Sequence, residues 1–419
     1  MMQGKGFTDR ALLENEVRDI LAAGTDIERI AGKNILVLTP DSTRTAPLGM
    51  MVRAIADIIG AHAARLDFMV ALGTHQPMDE EEILSLYGLT REEKAALLPD
   101  SLFMNHRWDL EGTLVKIGRL GEDEVEEISG GLFRQGVDVV INRHIFDYDL
   151  IIILGPVFPH EVAGFSGGDK YLFPGISGGE LLHFTHWLGA VVTCWDTIGI
   201  RQTPVREALT RAARLVSVPR LCISMVVKSK TELAGLYVGD TEEAWPAATE
   251  LSAKLHIVYK DKPYHTVLGT ASPMYEEIWV AGKVMYKLEP VVADGGKLII
   301  YGKHINRVSD TWGPLIERAG YHCRDYFRHR LDQFSDIPPG VLAHSTHVKG
   351  LGTFDNGVEK PRIEVILATS IPEETCRRIN LGYMDPDSIN IEDYRNREDE
   401  GILLVENAGE ILHRLKPKK

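Results

Sequence analysis

Short apolar runs that alternate with helical patterns constrain the fold of this chain most strongly. The run Asn34–Thr39 (NILVLT) has the length and composition of a buried strand, and Pro47 behind it suits the first turn of a helix. Residues 66–72 and 149–154 repeat the strand pattern, and another helix is expected from about Glu180. Because strands that alternate with helices form parallel sheets, we predict an α/β fold with mainly parallel sheets flanked by helices.

The length of 419 residues exceeds one ordinary core, so two domains are expected, at 1–260 and 261–419. Residues 113–140 of the first domain suggest strands and turns without a helix. The second domain is predicted to contain one helix and four strands, at 275–286 and at 266–269, 297–301, 340–343 and 363–368.

The charge and the cysteines narrow the class of protein. A formal net charge of -14, without a long basic cluster, argues against a general nucleic-acid binder. The N-terminus lacks the apolar core of a signal peptide, and no run approaches a bilayer span, so a cytoplasmic protein without membrane contact is expected. The 4 cysteines form no CxxC pair, so any metal must depend mainly on the 15 histidines.

Polar clusters follow three of the predicted strands, at residues 41–44, 73–75 and 155–179. In parallel sheets, ligands bind beyond the carboxyl ends of the strands. We therefore expect these clusters to converge on one cleft although they are far apart in sequence.

The most informative segment is the glycine-rich loop that ends at Lys170. Gly167 and Gly168 allow a ligand to approach the backbone closely, and successive amide groups in such a loop can hold a phosphate. Lys170 adds a cation or an amine nucleophile. Tyr171 replaces the Ser or Thr of a Walker loop, and an ordinary glycine turn with a solvated lysine is an equally good interpretation.

Histidines supply the candidates for metal binding and proton transfer. His183 and His186 share a helix face, and imidazole is a good ligand for nickel, zinc or copper, although packing is the commoner role of such a pair. His160 lies at a strand end and His106 in a predicted loop, and either could move protons near neutral pH or be a hydrogen-bonded loop residue.

Two cations are candidates for binding a carboxylate. Arg44 lies at a strand–helix junction, where a guanidinium can bind a carboxylate through two hydrogen bonds or form a plain salt bridge. Lys283 lies on a predicted helix of the second domain, and a solvated lysine is the alternative there.

Together these motifs resemble those of the lactate racemase family, whose members depend on a nickel-pincer nucleotide. The resemblance covers most of the first 190 residues and is looser after that. Its elements are D-x-T-R at 41–44, G-T-H-x-P at 73–77, Asn105-His106, H-x-x-A-G-x-S-G-G-x-K at 160–170, and His186.

The resemblance implies a cofactor, a pyridinium-3,5-bisthiocarboxylic acid mononucleotide that carries nickel(II). It implies that Lys170 joins this cofactor covalently and that His186 is the protein ligand of nickel. It also implies that His106 and His160 are the acid/base pair, so that a 2-hydroxy acid is racemised or epimerised by proton-coupled hydride transfer.

Further roles follow from the same resemblance. Arg44 and Lys283 would bind the substrate carboxylate. The first domain would bind the cofactor, the second would close over it, and the active site would lie in the cleft between them; proteins that mature the cofactor would be partners. The expected cofactor-binding residues beside Lys170 are Asp41, Ser166, Gly167 and Gly168.

Two departures from the family pattern leave the substrate open. Where the family often has Y-Q-x-x-K, this chain has Trp279 and Val280 before Lys283, so the glutamine is missing. Arg107 and Trp108 separate the Asn-His element from the acid that usually follows it. A 2-hydroxy acid larger than lactate is therefore at least as good a candidate.

Two other functions fit part of the pattern. A nucleotide or nickel carrier would use the glycine loop and His186 but would have no need of His106, His160 and Arg44. A zinc hydrolase would instead show three protein ligands around zinc and no covalent nucleotide.

Overall fold

The structure is a computed structural model that describes residues 1–417. The described chain forms two compact units. Unit 1 comprises Met1–Phe158, Phe165–Leu182 and Arg201–Leu255, and unit 2 comprises Pro159–Gly164, His183–Ile200 and the described residues from His256 onward. The domain boundary after residue 260 and the cleft stay predictions, and Lys418 and Lys419 lie outside the described residues.

The strands are numbered along the whole chain. They are β1 Gln3–Gly6, β2 Asn34–Thr39, β3 Arg65–Val70, β4 Phe103–Asn105, β5 Leu114–Leu120, β6 Val137–Asn142, β7 Leu150–Pro156, β8 Pro159–His160, β9 Gly164–Phe165, β10 Arg220–Val227, β11 Leu233–Gly239, β12 Ile257–Lys260, β13 Tyr264–Ala271, β14 Val292–Gly302, β15 Gly352–Asp355, β16 Val358–Pro361, β17 Glu364–Thr369, β18 Gly382–Tyr383, β19 Ile402–Ala408 and β20 Leu412–Leu415.

The α-helices are numbered in the same way. They are α1 Glu14–Gly24, α2 Ile27–Ile30, α3 Leu48–Ile55, α4 Glu80–Leu86, α5 Arg91–Leu97, α6 Glu122–Ser129, α7 Gly179–Val192, α8 Pro204–Ala213, α9 Thr241–His256, α10 Ile278–Leu288, α11 Gly313–Ala319, α12 Arg324–Arg328, α13 Pro339–Lys349 and α14 Glu373–Arg378.

Unit 1 is built on a seven-stranded sheet in the order β1-β11-β10-β7-β2-β3-β4. The five strands from β10 to β4 are parallel, and β11 and β1 add an antiparallel edge. In β2 every residue after Asn34 is buried, as expected for a strand covered on its two faces. The predicted α/β fold with a mainly parallel sheet is confirmed, and β2 matches its predicted bounds.

Unit 2 contains a second sheet, which is entirely parallel and has the order β18-β17-β14-β13-β19. Three of its strands, β13, β14 and β17, include the runs at 266–269, 297–301 and all but the first residue of 363–368 that the sequence predicted. Helix α10 accounts for most of the helix predicted at 275–286.

Two predicted elements are wrong. Residues 113–140 contain α6 between β5 and β6; this helix buries only Val125, Ile128 and Ser129, so its apolar face is too short to be recognised. Residues 340–343 belong to α13, not to a strand. Every residue of α13 after Pro339 is buried, and a short apolar run of this kind does not distinguish a buried helix from a strand.

Within residues 1–417, no helix combines the length and the hydropathy that a bilayer span requires.

Candidate functional site

The loops after three parallel strands of unit 1 converge on residues 170–178. After β3, the Gly73 amide donates to the Gly175 carbonyl over 2.8 Å. After β4, the His106 Nε2 atom lies 3.2 Å from the Ser177 carbonyl oxygen. After β2, the residues of the D-x-T-R motif lie within electrostatic reach of Tyr171. These contacts bring residues 41–44 and 73–75 close to the end of the segment 155–179 within unit 1, and the cleft predicted for them stays a prediction.

Asp41 and His75 form a carboxylate–imidazole pair in this region, with His75 Nδ1 hydrogen-bonded to Asp41 Oδ2. The Thr43 amide and hydroxyl donate to the other carboxylate oxygen over 3.1 and 2.7 Å. Burial opposes ionisation of Asp41, but the His75 charge and these hydrogen bonds, with Arg44 nearby, hold its pKa below its usual range.

The pairing with Asp41 orients the His75 ring. An ionised carboxylate only accepts hydrogen bonds, so Nδ1 of His75 carries a hydrogen, and in the neutral ring Nε2 keeps a lone pair. The His75 side chain is 37% exposed, so it is accessible to a ligand. This is the arrangement of a general base that a carboxylate orients.

Trp108 supports the His75 loop from a second side, because its indole N–H donates to the His75 carbonyl over 2.9 Å. Arg107, the other residue that departs from the family pattern, is paired with Asp109 at 2.6 Å. Sequence reasoning assigned no role to His75, although the G-T-H-x-P motif that contains it was recognised. The signal that could have identified it is the preceding Asp41, which follows the neighbouring strand β2.

His106 is fully buried, and each of its ring nitrogens has a partner within unit 1. Nε2 donates to the Ser177 carbonyl over 3.2 Å, and Nδ1 accepts from the Asn142 side-chain amide over 3.1 Å. Burial lowers the pKa of His106 to about 4. Its acid/base role stays a prediction, and that role would require one of these hydrogen bonds to break.

The glycine loop follows β9 and leads into a short 3-10 helix, Gly168–Tyr171. Ser166 is buried, and its hydroxyl donates to the Pro156 carbonyl and accepts from the Phe158 amide, over 2.8 and 2.9 Å. Lys170 is half-buried in the short helix. The backbone and not the Ser166 hydroxyl is therefore the part of the loop that could meet a ligand.

Unit 2 gathers a second group of predicted site residues around His344. Trp279 packs on His344 with ring centroids 4.3 Å apart, and Lys283 follows Trp279 by one turn of α10. Burial lowers the pKa of His344 to about 3, and the charges of Glu161 and His186 also act on it. His186 and the residue after His160 therefore lie within electrostatic reach of one imidazole.

His160 is buried and its ring has a defined orientation. Its Nδ1 atom accepts from the amides of Val162 and Ala163 over 3.1 and 3.4 Å. In the neutral ring the hydrogen must then reside on Nε2, which makes His160 a hydrogen-bond donor at that atom. His75 and His160 thus differ at Nε2, where the neutral His75 ring has a lone pair and the His160 ring has a hydrogen.

The predicted site residues are divided between the two units. Unit 1 holds Asp41, Arg44, His106, Ser166, Gly167, Gly168 and Lys170, and unit 2 holds His160, His186 and Lys283.

The fit of the implied nickel nucleotide depends on which metal ligands and loop residues the chain offers. No group of three or more His, Cys, Asp or Glu side chains within residues 1–417 is arranged to hold a metal ion. A metal that takes one protein imidazole and its other ligands from a nucleotide does not need such a group. His186 is half-buried on α7, and the neighbouring His183 has a buried Nδ1 atom without a partner. The unpaired nitrogen is that of His183. The donor chemistry of the His186 imidazole in unit 2 and a glycine loop before a lysine in unit 1 are each of a kind that fits the group.

Comparison with known proteins finds a family match in the N-terminal part of the chain. Residues 14–194 match the family model described as the lactate racemase N-terminal domain. A lactate racemase of Lactiplantibacillus plantarum is 27% identical over 287 residues, which cover 66% of this chain and 62% of that protein. One of Thermoanaerobacterium thermosaccharolyticum is 24% identical over 273 residues, 64% of this chain and 59% of that protein. The matches thus span about three fifths of these relatives.

Solved structures extend the likeness to nearly the whole chain. A protein of Thermotoga maritima is 32% identical with a TM-score of 0.89, and the match covers 98% of this chain and 100% of that one. The lactate racemase apoprotein of Thermoanaerobacterium thermosaccharolyticum has the same fold, with a TM-score of 0.74 at 19% identity and coverage of 96% and 93%.

Proposed function

This chain belongs to the lactate racemase family, and from that premise we propose that it is an isomerase that inverts C2 of a 2-hydroxy acid. The observation that carries the proposal is the Asp41–His75 pair beside Arg44, close to the segment that follows Lys170. An oriented imidazole base and a cation for a carboxylate are what a 2-hydroxy acid requires.

The proposed cofactor is the nickel-pincer nucleotide, with Lys170 as its point of attachment and His186 as the protein ligand of nickel. When bound, it would supply the acceptor for the C2 hydrogen, which leaves with its electron pair and later returns. The cofactor-binding backbone would be that of Gly167 and Gly168, with Ser166 holding the loop from within and Asp41 nearby.

The proton steps would be carried by imidazoles. Nε2 of His75 would take the hydroxyl proton of the substrate while the C2 hydrogen leaves, which yields a 2-keto acid. Nε2–H of His160 would donate a hydrogen bond to that oxygen, and the proton held by His75 would go back to it in the return step. These tautomers provide one base and one hydrogen-bond donor. His106 remains a third candidate, subject to the opening of its two hydrogen bonds.

Arg44 and Lys283 would bind the substrate carboxylate. Arg44 is half-buried, and a guanidinium can form two parallel hydrogen bonds to a carboxylate. Lys283 is buried, with its ammonium 4.7 Å from the centre of the Tyr275 ring. Because the net charge of the chain is -14, local cations of this kind are needed to attract an anionic substrate.

The test is chiral chromatography of single enantiomers after incubation with protein produced together with cofactor-maturation proteins and nickel. The panel contains lactate and larger 2-hydroxy acids, because Trp279 and Val280 depart from the family pattern. We expect the opposite enantiomer to appear for at least one acid. Lys170→Ala should abolish conversion and remove the adduct from the intact-mass spectrum, whereas Lys228→Ala, an exposed lysine of unit 1, should change neither.

Two results would contradict the proposal. Conversion by Lys170→Ala at the wild-type rate would exclude covalent attachment there. A wild-type protein that carries nickel and the adduct but converts no acid would favour the alternative, a nucleotide or nickel carrier. The Asp41–His75 pair disfavours that alternative, because a carrier has no need of an oriented base.

A further inference from the structure

Side chains from two helices of unit 1 donate hydrogen bonds to the backbone carbonyls of the glycine loop. The guanidinium of Arg206, on α8, donates to the carbonyls of Phe165 and Gly167, the latter over 3.2 Å. The indole N–H of Trp245, on α9, donates to the Ser166 carbonyl over 2.8 Å. Three consecutive carbonyls of the loop are therefore held by side chains that sequence analysis did not single out.

Arg206 is an unusual residue for a buried position. It is 7% exposed, and its guanidinium stacks on the Trp245 ring at 4.1 Å. Burial lowers its pKa to about 10, so it stays protonated near neutral pH, and Asp169, an acid whose charge acts on it, is itself buried. Since a buried cation is costly unless it is paired and hydrogen-bonded, its bonds to the loop are the evident compensation.

The loop is also packed tightly against Trp245. Gly167 and Gly168 have φ values of 83° and 59°, which side-chain-bearing residues rarely adopt. A methyl group on Gly167 would lie 2.9 Å from a Val157 carbon, and one on Gly168 would lie 3.1 Å from a Trp245 ring atom. The loop backbone can thus rest directly on the indole only because these two positions are glycine.

We propose that Arg206 and Trp245 are positioning residues that turn the loop carbonyls inward, so that the following amide groups form a preorganised anion site beside Lys170. Successive amides in a turn of this kind can form a concavity that suits a phosphate. The ligand identity, a pyridinium mononucleotide, rests on the proposed function; the positioning of the loop does not.

The experiment compares apo protein variants by amide hydrogen exchange and by calorimetric titration with nicotinamide mononucleotide. In Arg206→Met we expect exchange at residues 166–170 to accelerate at least tenfold and binding to weaken about tenfold, because two carbonyls lose their donor. Arg206→Lys should fall between wild type and Arg206→Met. The matched control is Arg211→Met on the same helix, an arginine paired with Glu207 and Glu127, which should change neither measurement.

A second variant covers the case in which Arg206→Met does not fold. Trp245→Phe keeps the ring contact and removes only the N–H that bonds Ser166, so a smaller, local acceleration is expected. Unchanged exchange in the loop of Trp245→Phe, or an acceleration spread evenly over β7 and β10, would overturn the proposal.

The two measurements separate this inference from the proposed function. If wild-type protein neither binds the mononucleotide nor acquires an adduct, the proposed function fails while the exchange comparison still decides the positioning role. If wild type binds and Arg206→Met binds equally well, the positioning role fails alone.

Discussion

For individual residues, the proposed proton steps depend on which ring nitrogen of His75 and of His160 carries the hydrogen. Asp41 leaves a lone pair on Nε2 of His75, whereas two backbone amides leave a hydrogen on Nε2 of His160. Sequence indicated His160 but assigned no role to His75, because the distinction depends on contacts such as Asp41–His75 that span 34 positions.

Asp41→Asn tests the orientation of His75. An amide side chain accepts a hydrogen bond less strongly than a carboxylate and no longer fixes the ring tautomer, so kcat should fall about 100-fold or more with a small change in melting temperature. Asp57→Asn, which alters a part-exposed carboxylate paired with Arg18, is the control. A kcat within threefold of wild type would contradict the assignment of His75.

His106→Gln separates a structural from a catalytic role for His106. The ring bridges Asn142 and Ser177 in a fully buried position, so we expect a loss of about 1–3 kcal/mol in stability from groups left unpaired. Thermal unfolding and initial rates measured on the same preparation distinguish the structural role from the catalytic role. An unchanged melting temperature with abolished conversion would instead assign His106 to catalysis.

Among the elements, buried strands and several helices were predictable from the sequence, whereas α6 and α13 were not. β2 and β17 are continuous apolar runs because each is buried, so composition alone revealed them. α6 and α13 escaped detection for opposite reasons, since one is mostly polar and the other is buried throughout. The convergence of loops in unit 1 was predictable because the ends of parallel strands share an edge.

Lys287 of α10 is expected to hold two other segments of unit 2 in place. It is 3% exposed on α10, and its ammonium donates to the carbonyls of Pro159 in β8 and Glu410, over 2.5 and 2.9 Å. Lys287→Met removes the ammonium donor from both carbonyls, so it should lower the melting temperature and reduce kcat about tenfold by releasing the segment that carries His160.

The control for Lys287→Met is Lys303→Met, which removes an exposed lysine paired with Asp387. Lys287→Arg should recover part of the loss, since a guanidinium can still donate. Equal kcat and melting temperature in Lys287→Met and wild type would remove any positioning role for this lysine.

For the whole molecule, the free energy of unfolding should depend on pH because of one buried acid. Burial raises the pKa of Asp169 to about 6, against the lowering effect of Arg220 and Arg206. Because the folded-state pKa lies above the unfolded value, the contribution of Asp169 to stability is present in acid and is lost as the pH rises through about 6.

Asp169→Asn removes this titration. Between pH 4 and pH 7 the variant should gain about 2 to 3 kcal/mol in unfolding free energy relative to wild type, whatever the difference between them at pH 4. Urea unfolding of the two proteins across that range measures it. A difference that stays constant with pH would show that Asp169 does not titrate as its surroundings imply.

We propose that C2 is inverted by a hydrogen that leaves and returns with its electron pair. The imidazoles would transfer only the hydroxyl proton. The most direct measurement is the deuterium content of the product enantiomer, isolated by chiral chromatography after a C2-deuterated 2-hydroxy acid has reacted in ordinary water. The account predicts a product of opposite configuration that keeps its deuterium at C2. Product that carries solvent hydrogen at C2, or no inverted product from any acid of the panel, would contradict it.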